Sequence, residues 1–186
     1  MAPFIVSIDG LIGSGKSTLI SGLAMAGFNV FPEPVSEWKL LEKYYENPKL
    51  YGFAFEMEVL LSQFCQRMQF PDEGLVVVER CPESTCKVFV PMVPLVNEDL
   101  AAFLSTYERL AYQVDCFVYL KVDPTVAHQR IQDRSDVDKK ISLAYLERLY
   151  KQYDNLQPRI NVNANRSKEE VLRHVIKILS FIKRVS

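Results

Sequence analysis

Short apolar runs alternate with stretches of helical spacing along the whole chain. "FIVSID" is apolar and ends at a turn signal, which predicts a buried strand. "KSTLISGLAMA" then has helical spacing, and "FNVFPEP" is a short strand stopped by Pro32 and Pro34. "SEWKLLEKYYENP" predicts a helix capped by Ser36 that ends before Pro48. "YGFAFEMEVLLSQF" continues as a long, largely apolar helix reaching Met68, although it carries Glu56 and Glu58. "GLVVVERC" is the most apolar strand of the chain, and "PESTCKVFV" opens with a proline suited to a first helical turn. "NEDLAAFLSTYERLAYQV" predicts an amphipathic helix with Asn97 as its cap, and "DCFVYLKV" another buried strand. "DPTVAHQRIQDR" and "SLAYLERLYKQYDNL" predict two helices joined by a charged connector. "RINVNAN" is a weaker last strand, and "SKEEVLRHVIKILSFIKRV" is a closing helix that starts with a capping-box pattern.

Strands that are apolar on both faces and alternate with helices imply an α/β fold, a parallel sheet with helices on both faces. No repeat, low-complexity tract or linker interrupts the 186 residues, so one domain is expected over residues 1–186. A formal net charge of −1 argues against a nucleic-acid binder, which usually carries a basic excess. The start lacks a basic n-region, and no apolar run approaches the length of a membrane span. Cys65, Cys81, Cys86 and Cys116 form no CxxC pair and are expected as reduced thiols filling the core of a cytoplasmic protein.

Chemistry enters with "GLIGSGKS". It fits the G-x-x-x-x-G-K-[ST] phosphate loop in full, between a predicted strand and a predicted helix. Gly10, Gly13, Ser14 and Gly15 let backbone N–H groups face an anion, and the helix start beyond them (Lys16, Ser17, Thr18) adds a positive dipole end. Lys16 is expected to reach the β- and γ-phosphates of ATP, and Ser17 to sit on Mg²⁺. In open α/β sheets ligands bind beyond the carboxyl ends of strands. Glu33 in "FPEP" falls there, placed to accept a proton from a substrate hydroxyl, although an exposed turn glutamate reads the same way. "VVVERC" puts Glu79 and Arg80 at another strand end, an acid for Mg²⁺ and a base to clamp a phosphoryl group, or else a structural ion pair. Arg130 and Arg134 lie four apart on one predicted helical face, before a polar segment near 130–140 able to act as a lid. A solvated charged face is the plainer reading of those arginines.

"GLIGSGKST", "EPVSEW", "ERC" and an arginine-bearing segment after "YLKVDP" occur in that order over nearly the whole chain. This resembles the deoxynucleoside kinase family. The resemblance implies a P-loop NTPase fold with a parallel five-stranded sheet, usually as a homodimer, using ATP and Mg²⁺ to phosphorylate a deoxynucleoside. It implies Glu33 as the base at the 5′-hydroxyl, Arg80 beside it and Glu79 serving Mg²⁺. Trp38 would line the base pocket, with Phe55 near the base and Phe89 opposite. Tyr45, from "YYENPKLYGFAF", would contact the 3′-hydroxyl, joined there by a lid acid, Asp138 or Asp136. Arg130 and Arg134 match lid arginines. The lid is shorter than the family pattern and carries fewer arginines, and the family's usual serine after "ER" is Cys81 here. "NANRSKEE" falls where the adenine of ATP is expected to lie.

The family's base-pairing glutamine is replaced by Glu56, with Val59 and Gln63 following on the same helical face. An ionised glutamate only accepts hydrogen bonds, which suits the two N–H groups of guanine; thymine would need a separate donor for O4, such as Gln63. Cytosine and adenine would require Glu56 to be protonated. Thr85 stands where an aspartate marks deoxycytidine specificity in the family, which leaves thymidine as the leading substrate. Two other readings stay open: a nucleoside monophosphate kinase such as thymidylate kinase, and a non-catalytic kinase-like subunit such as the accessory subunit of respiratory complex I.

Overall fold

The computed structural model describes residues 2–133 and 138–185. Five strands form one all-parallel sheet in the order β2-β3-β1-β4-β5. They are β1 (Phe4–Gly10), β2 (Asn29–Phe31), β3 (Leu75–Glu79), β4 (Cys116–Lys121) and β5 (Ile160–Asn163). Val76, Val77 and Val78 are fully buried, as a strand covered on both faces requires. Each such valine contributes about 1.5–3 kcal/mol of burial.

The helices are α1 (Lys16–Met25), α2 (Leu41–Glu46), α3 (Pro48–Arg67), α4 (Pro82–Ser84), α5 (Asn97–Leu110), α6 (Pro124–Gln132), α7 (Leu143–Gln152) and α8 (Lys168–Val185). Helix α1 packs against α8, α3 against α2 and α5, and α6 against α7. The register sets Ile8 opposite Glu79 and Phe31 opposite Val78, so β1, β2 and β3 end side by side. That alignment brings Gly10, Glu33 and Glu79 to one edge of the sheet, although they are far apart in sequence.

Local details differ from the sequence pattern in three places. Ser36 lies inside a 3₁₀ turn, Val35–Glu37, and caps nothing. The N-terminal side of α2 is served instead by Glu58 of α3, whose carboxylate accepts the backbone N–H groups of Lys39 and Leu40 at 2.9 and 3.0 Å. Asn97 is the first residue of α5 and makes no side-chain cap; Val96 occupies the cap position, and the helix stops at Leu110. The segment after α4 widens into a π-helix, Thr85–Phe89, and then tightens into a 3₁₀ turn, Val90–Met92. The capping box of α8 forms as expected: Ser167 and Glu170 each bond the other's backbone N–H, at 3.3 and 3.1 Å. The cysteines are free thiols, but Cys65 is exposed rather than core filler, Cys86 and Cys116 are half-buried, and only Cys81 is fully buried. Among the described residues no helix is long and apolar enough to cross a membrane.

Candidate active site

Gly10 closes β1, and the loop that follows turns into α1 at Lys16. Gly13 and Gly15 have φ of 83° and 97°, in the left-handed region that glycine adopts without strain. A Cβ on Gly13 would lie 2.4 Å from the carbonyl oxygen of Ala127, so the loop presses directly on α6. The Lys16 ammonium donates to the carbonyls of Gly10 and Leu11 at 3.1 and 3.0 Å. Burial, helped by Arg80 and opposed by Glu79, Glu33 and Asp9, lowers its pKa to about 8. Ser17 Oγ donates to Glu79 Oε1 at 3.0 Å, bringing together two hard oxygen ligands. Among the described residues no cluster of three His, Cys, Asp or Glu side chains forms. A hydroxyl and one carboxylate beside a phosphate loop nevertheless fit Mg²⁺, which is commonly held by one or two carboxylates plus substrate phosphates and water.

Glu33 and Arg80 face each other at the joined strand ends, and Arg80 Nη1 donates to Glu33 Oε2. Burial pushes the Glu33 carboxyl above the ordinary carboxylate range, partly offset by Arg80. Burial works against the charge of Arg80, but Glu33, Tyr153 and Glu79 outweigh it and hold the guanidinium above its usual value. Arg80 has φ 61°, unusual for a residue with a side chain. Such a conformation costs on the order of 1–3 kcal/mol and persists where surrounding structure imposes it. The guanidinium lies 4.8 Å from the centre of the Phe89 ring, and its buried Nε and Nη2 have no hydrogen-bond partner among the described residues.

A cavity runs from the phosphate loop past this pair to an aromatic end, where Glu56 and Val59 of α3 also line it. Trp38 meets Phe55 edge-on at 5.7 Å, and Tyr44 stacks on Phe55 at 4.7 Å. Trp38 is fixed by its Nε1–H, which donates to Ser62 Oγ at 3.0 Å. The wide π turn directs both Thr85 and Phe89 into the cavity. Tyr45 on α2 donates its hydroxyl to Asp138 Oδ1 at 3.4 Å, joining the two side chains expected at a sugar hydroxyl.

Not every expected residue reaches this cavity. Gln63 is buried behind the lining and bonds Thr85 in both directions, at 3.0 and 3.2 Å. Arg130 projects to the other side of the loop, where its Nη2 donates to the Ala164 carbonyl at 3.0 Å. It lines a second cavity with Ser14, Gly15, Thr18, Arg166 and Lys168. Arg134 and Asp136 lie outside the described residues. Tyr44, Tyr145 and Leu41 line the first cavity although the sequence did not single them out. Their signal is weak, because an aromatic or leucine on an amphipathic helix usually belongs to the core.

A family model described as deoxynucleoside kinase matches residues 6–178. The chain belongs to the deoxynucleoside kinase family. This kinase is therefore a phosphotransferase that binds a nucleotide and acts on a deoxynucleoside. It is 40% identical over 155 residues to putative kinase protein 143R of Invertebrate iridescent virus 6, covering 80% of each chain. It is 32% identical over 200 residues to the thymidine kinase of Ictalurid herpesvirus 1 (strain Auburn), covering 94% of this kinase and 85% of that one. A deoxyadenosine kinase from M. mycoides, solved with dCMP and dCDP, superposes with a TM-score of 0.84 over 97% of this chain and all of its own. At 23% identity that likeness is one of fold. These names span more than one nucleobase, so family membership leaves the preferred base open.

Proposed function

We propose that this kinase transfers the γ-phosphoryl group of ATP to the 5′-hydroxyl of a deoxynucleoside, with thymidine as leading substrate within a broad range. The observation that carries this reading is the buried Glu33–Arg80 pair between the phosphate loop and the aromatic cavity. Glu33 accepts the proton of the attacking hydroxyl, and burial, which raises its carboxyl pKa, makes it a stronger base for that task. The unpartnered donors of Arg80 supply hydrogen bonds to the reacting oxygens. Trp38, Phe55 and Phe89 hold the base, and Tyr45 with Asp138 holds the 3′-hydroxyl.

Lys16 exchanges the loop carbonyls for the β- and γ-phosphates. Ser17 and Glu79 would hold Mg²⁺, which supplies charge neutralisation for the transferring group when bound. The second cavity, continuous with the loop through Ser14, Gly15 and Thr18, takes the rest of the nucleotide, with Arg130 and Arg166 at its walls. The lid is assigned to the polar segment near residues 130–140, of which 134–137 lie outside the described residues. A homodimer is supported by exposed Val96 at the cap of α5 and Leu100 and Leu104 along it, and by exposed Leu61 of the neighbouring α3 and Met68 at its end.

The test is ATP-dependent phosphorylation of thymidine, deoxycytidine, deoxyadenosine and deoxyguanosine, with dTMP alongside and the Glu33→Gln variant as control. Nucleosides are expected to turn over, thymidine with the highest kcat/KM. Glu33→Gln should lower kcat by about 10²–10⁴, the usual worth of a positioned base. Activity on dTMP alone would move the reading to a monophosphate kinase. Nucleotide binding without any turnover would overturn catalysis altogether.

A further inference from the structure

Among the described residues, the carboxyl of Glu56 sits where no free cation balances a negative charge. The residue is 3% exposed, on the cavity face of α3. Tyr44 of α2, Tyr145 of α7, Glu33 after β2 and Arg80 after β3 face it. Arg80 is the one cation of these, and it is committed to Glu33. Glu58, on the same helix, turns away to the N–H groups of Lys39 and Leu40. Among the described residues no ion pair includes Glu56. A buried carboxylate without a cation costs several kcal/mol, and such a group takes up a proton instead. Burial, aided by Glu33 and opposed by Arg80, pushes Glu56 up to about 8.

We propose that Glu56 meets the nucleobase as a neutral acid, pairing its O–H and its carbonyl with adjacent groups on the base edge, so that base choice depends on its proton. The proposal rests on the deoxynucleoside kinase reading above. A neutral carboxyl offers one donor and one acceptor side by side. Cytosine and adenine present a ring nitrogen beside an amino group, and thymine presents N3–H beside a carbonyl. Each complements the neutral acid in one of its two orientations. Guanine presents two neighbouring N–H donors and complements the ionised form. Glu56 thus supplies by itself the donor that thymine O4 needs, while Gln63 stays tied to Thr85.

The test is kcat/KM for deoxycytidine and deoxyguanosine between pH 6.5 and 9, in the wild type and in Glu56→Gln. This parameter reports ionisations of the free enzyme. Taking the ratio of the two nucleosides cancels titrations of Glu33 and Lys16 that affect both alike. The deoxycytidine-to-deoxyguanosine ratio should fall about tenfold or more across this range in the wild type. It should stay flat in Glu56→Gln, because an amide keeps the donor–acceptor pair without a titrating proton. The variant also carries any titration of the bases themselves. Should the variant not fold, the thymidine-to-deoxyguanosine ratio of kcat/KM in the wild type over the same range keeps the test: it should fall together with the deoxycytidine ratio, and a flat one overturns the proposal. A wild-type ratio as flat as the variant's overturns the proposal alone. No turnover of any nucleoside at any pH overturns the kinase reading and this proposal with it.

Discussion

The hydroxyl of Tyr153 donates to the backbone carbonyl of Gly10 at 2.8 Å, tying the turn after α7 to the start of the phosphate loop. The same carbonyl receives Lys16, so one oxygen registers both the end of α7 and the loop lysine. Tyr153 is fully buried, lies 4.8 Å from the Tyr119 ring, and presents its hydroxyl to Arg80.

Tyr153→Phe should keep the ring packing and remove only the tie. The loss of one buried hydrogen bond is expected to cost about 1 kcal/mol, lowering Tm by roughly 2–4 °C. Because the loop and Arg80 lose a shared reference point, kcat should fall several-fold while KM for the nucleoside changes little. Thermal melts and steady-state kinetics check this; a KM effect without a kcat effect would place Tyr153 outside the reacting end.

Glu58→Ala removes the two carboxylate bonds that hold Lys39 and Leu40 at the entrance to α2. That helix carries Tyr44 and Tyr45 into the cavity. A cap of this kind is worth about 0.5–2 kcal/mol. The variant is expected to raise KM for the nucleoside with kcat nearly kept, and to leave nucleotide binding unchanged. Nucleoside KM, kcat and nucleotide affinity measured on the same preparation check it.

Stability should respond to pH through Glu56. Its folded-state pKa, about 8, lies above the unfolded value of 4.5. The contribution is therefore fully present below pH 4.5 and is lost as pH rises through about 8. Glu56→Gln has no such dependence at this position. The stability of the variant relative to wild type should rise between pH 5 and 8.5, by up to a few kcal/mol. Urea midpoints at the two pH values check the sign; a variant that loses stability relative to wild type as pH rises would be the opposite result.

The exposed apolar row on α5 predicts a dimer in solution. Replacing Leu100 and Leu104 together by Glu should give a monomer with unchanged far-ultraviolet circular dichroism, because both side chains are exposed in one copy. Sedimentation at micromolar concentration checks it, and a wild type that sediments as a monomer would remove the dimer.

Much of this architecture is legible in the chain. Each apolar run such as "VVV" is long enough to specify a strand, and the loop pattern specifies its own backbone. Glu33, Glu79 and Arg80 are recognisable because they sit directly at strand ends, where local order determines position. What escapes is whatever depends on partners distant in sequence. Ser36 has the chemistry of a cap, yet Glu58 from another helix serves those N–H groups. Gln63 has the right helical phase to face the base, yet Thr85 from the π turn claims it. Arg130 looks like a lid arginine, but the side of the loop it faces is decided by the packing of α6 on Gly13.

Gly15 lines both cavities, the aromatic one and the one that holds Arg166. The loop is thus a shared wall between two distinct cavities. With the nucleoside in one and the nucleotide in the other, as proposed above, neither has to leave before the other arrives, and turnover is expected to run through a ternary complex with no phosphorylated enzyme between half-reactions. A nucleoside joined to a nucleotide by a chain of phosphates would occupy both chambers at once, with Gly15 at the crossing point.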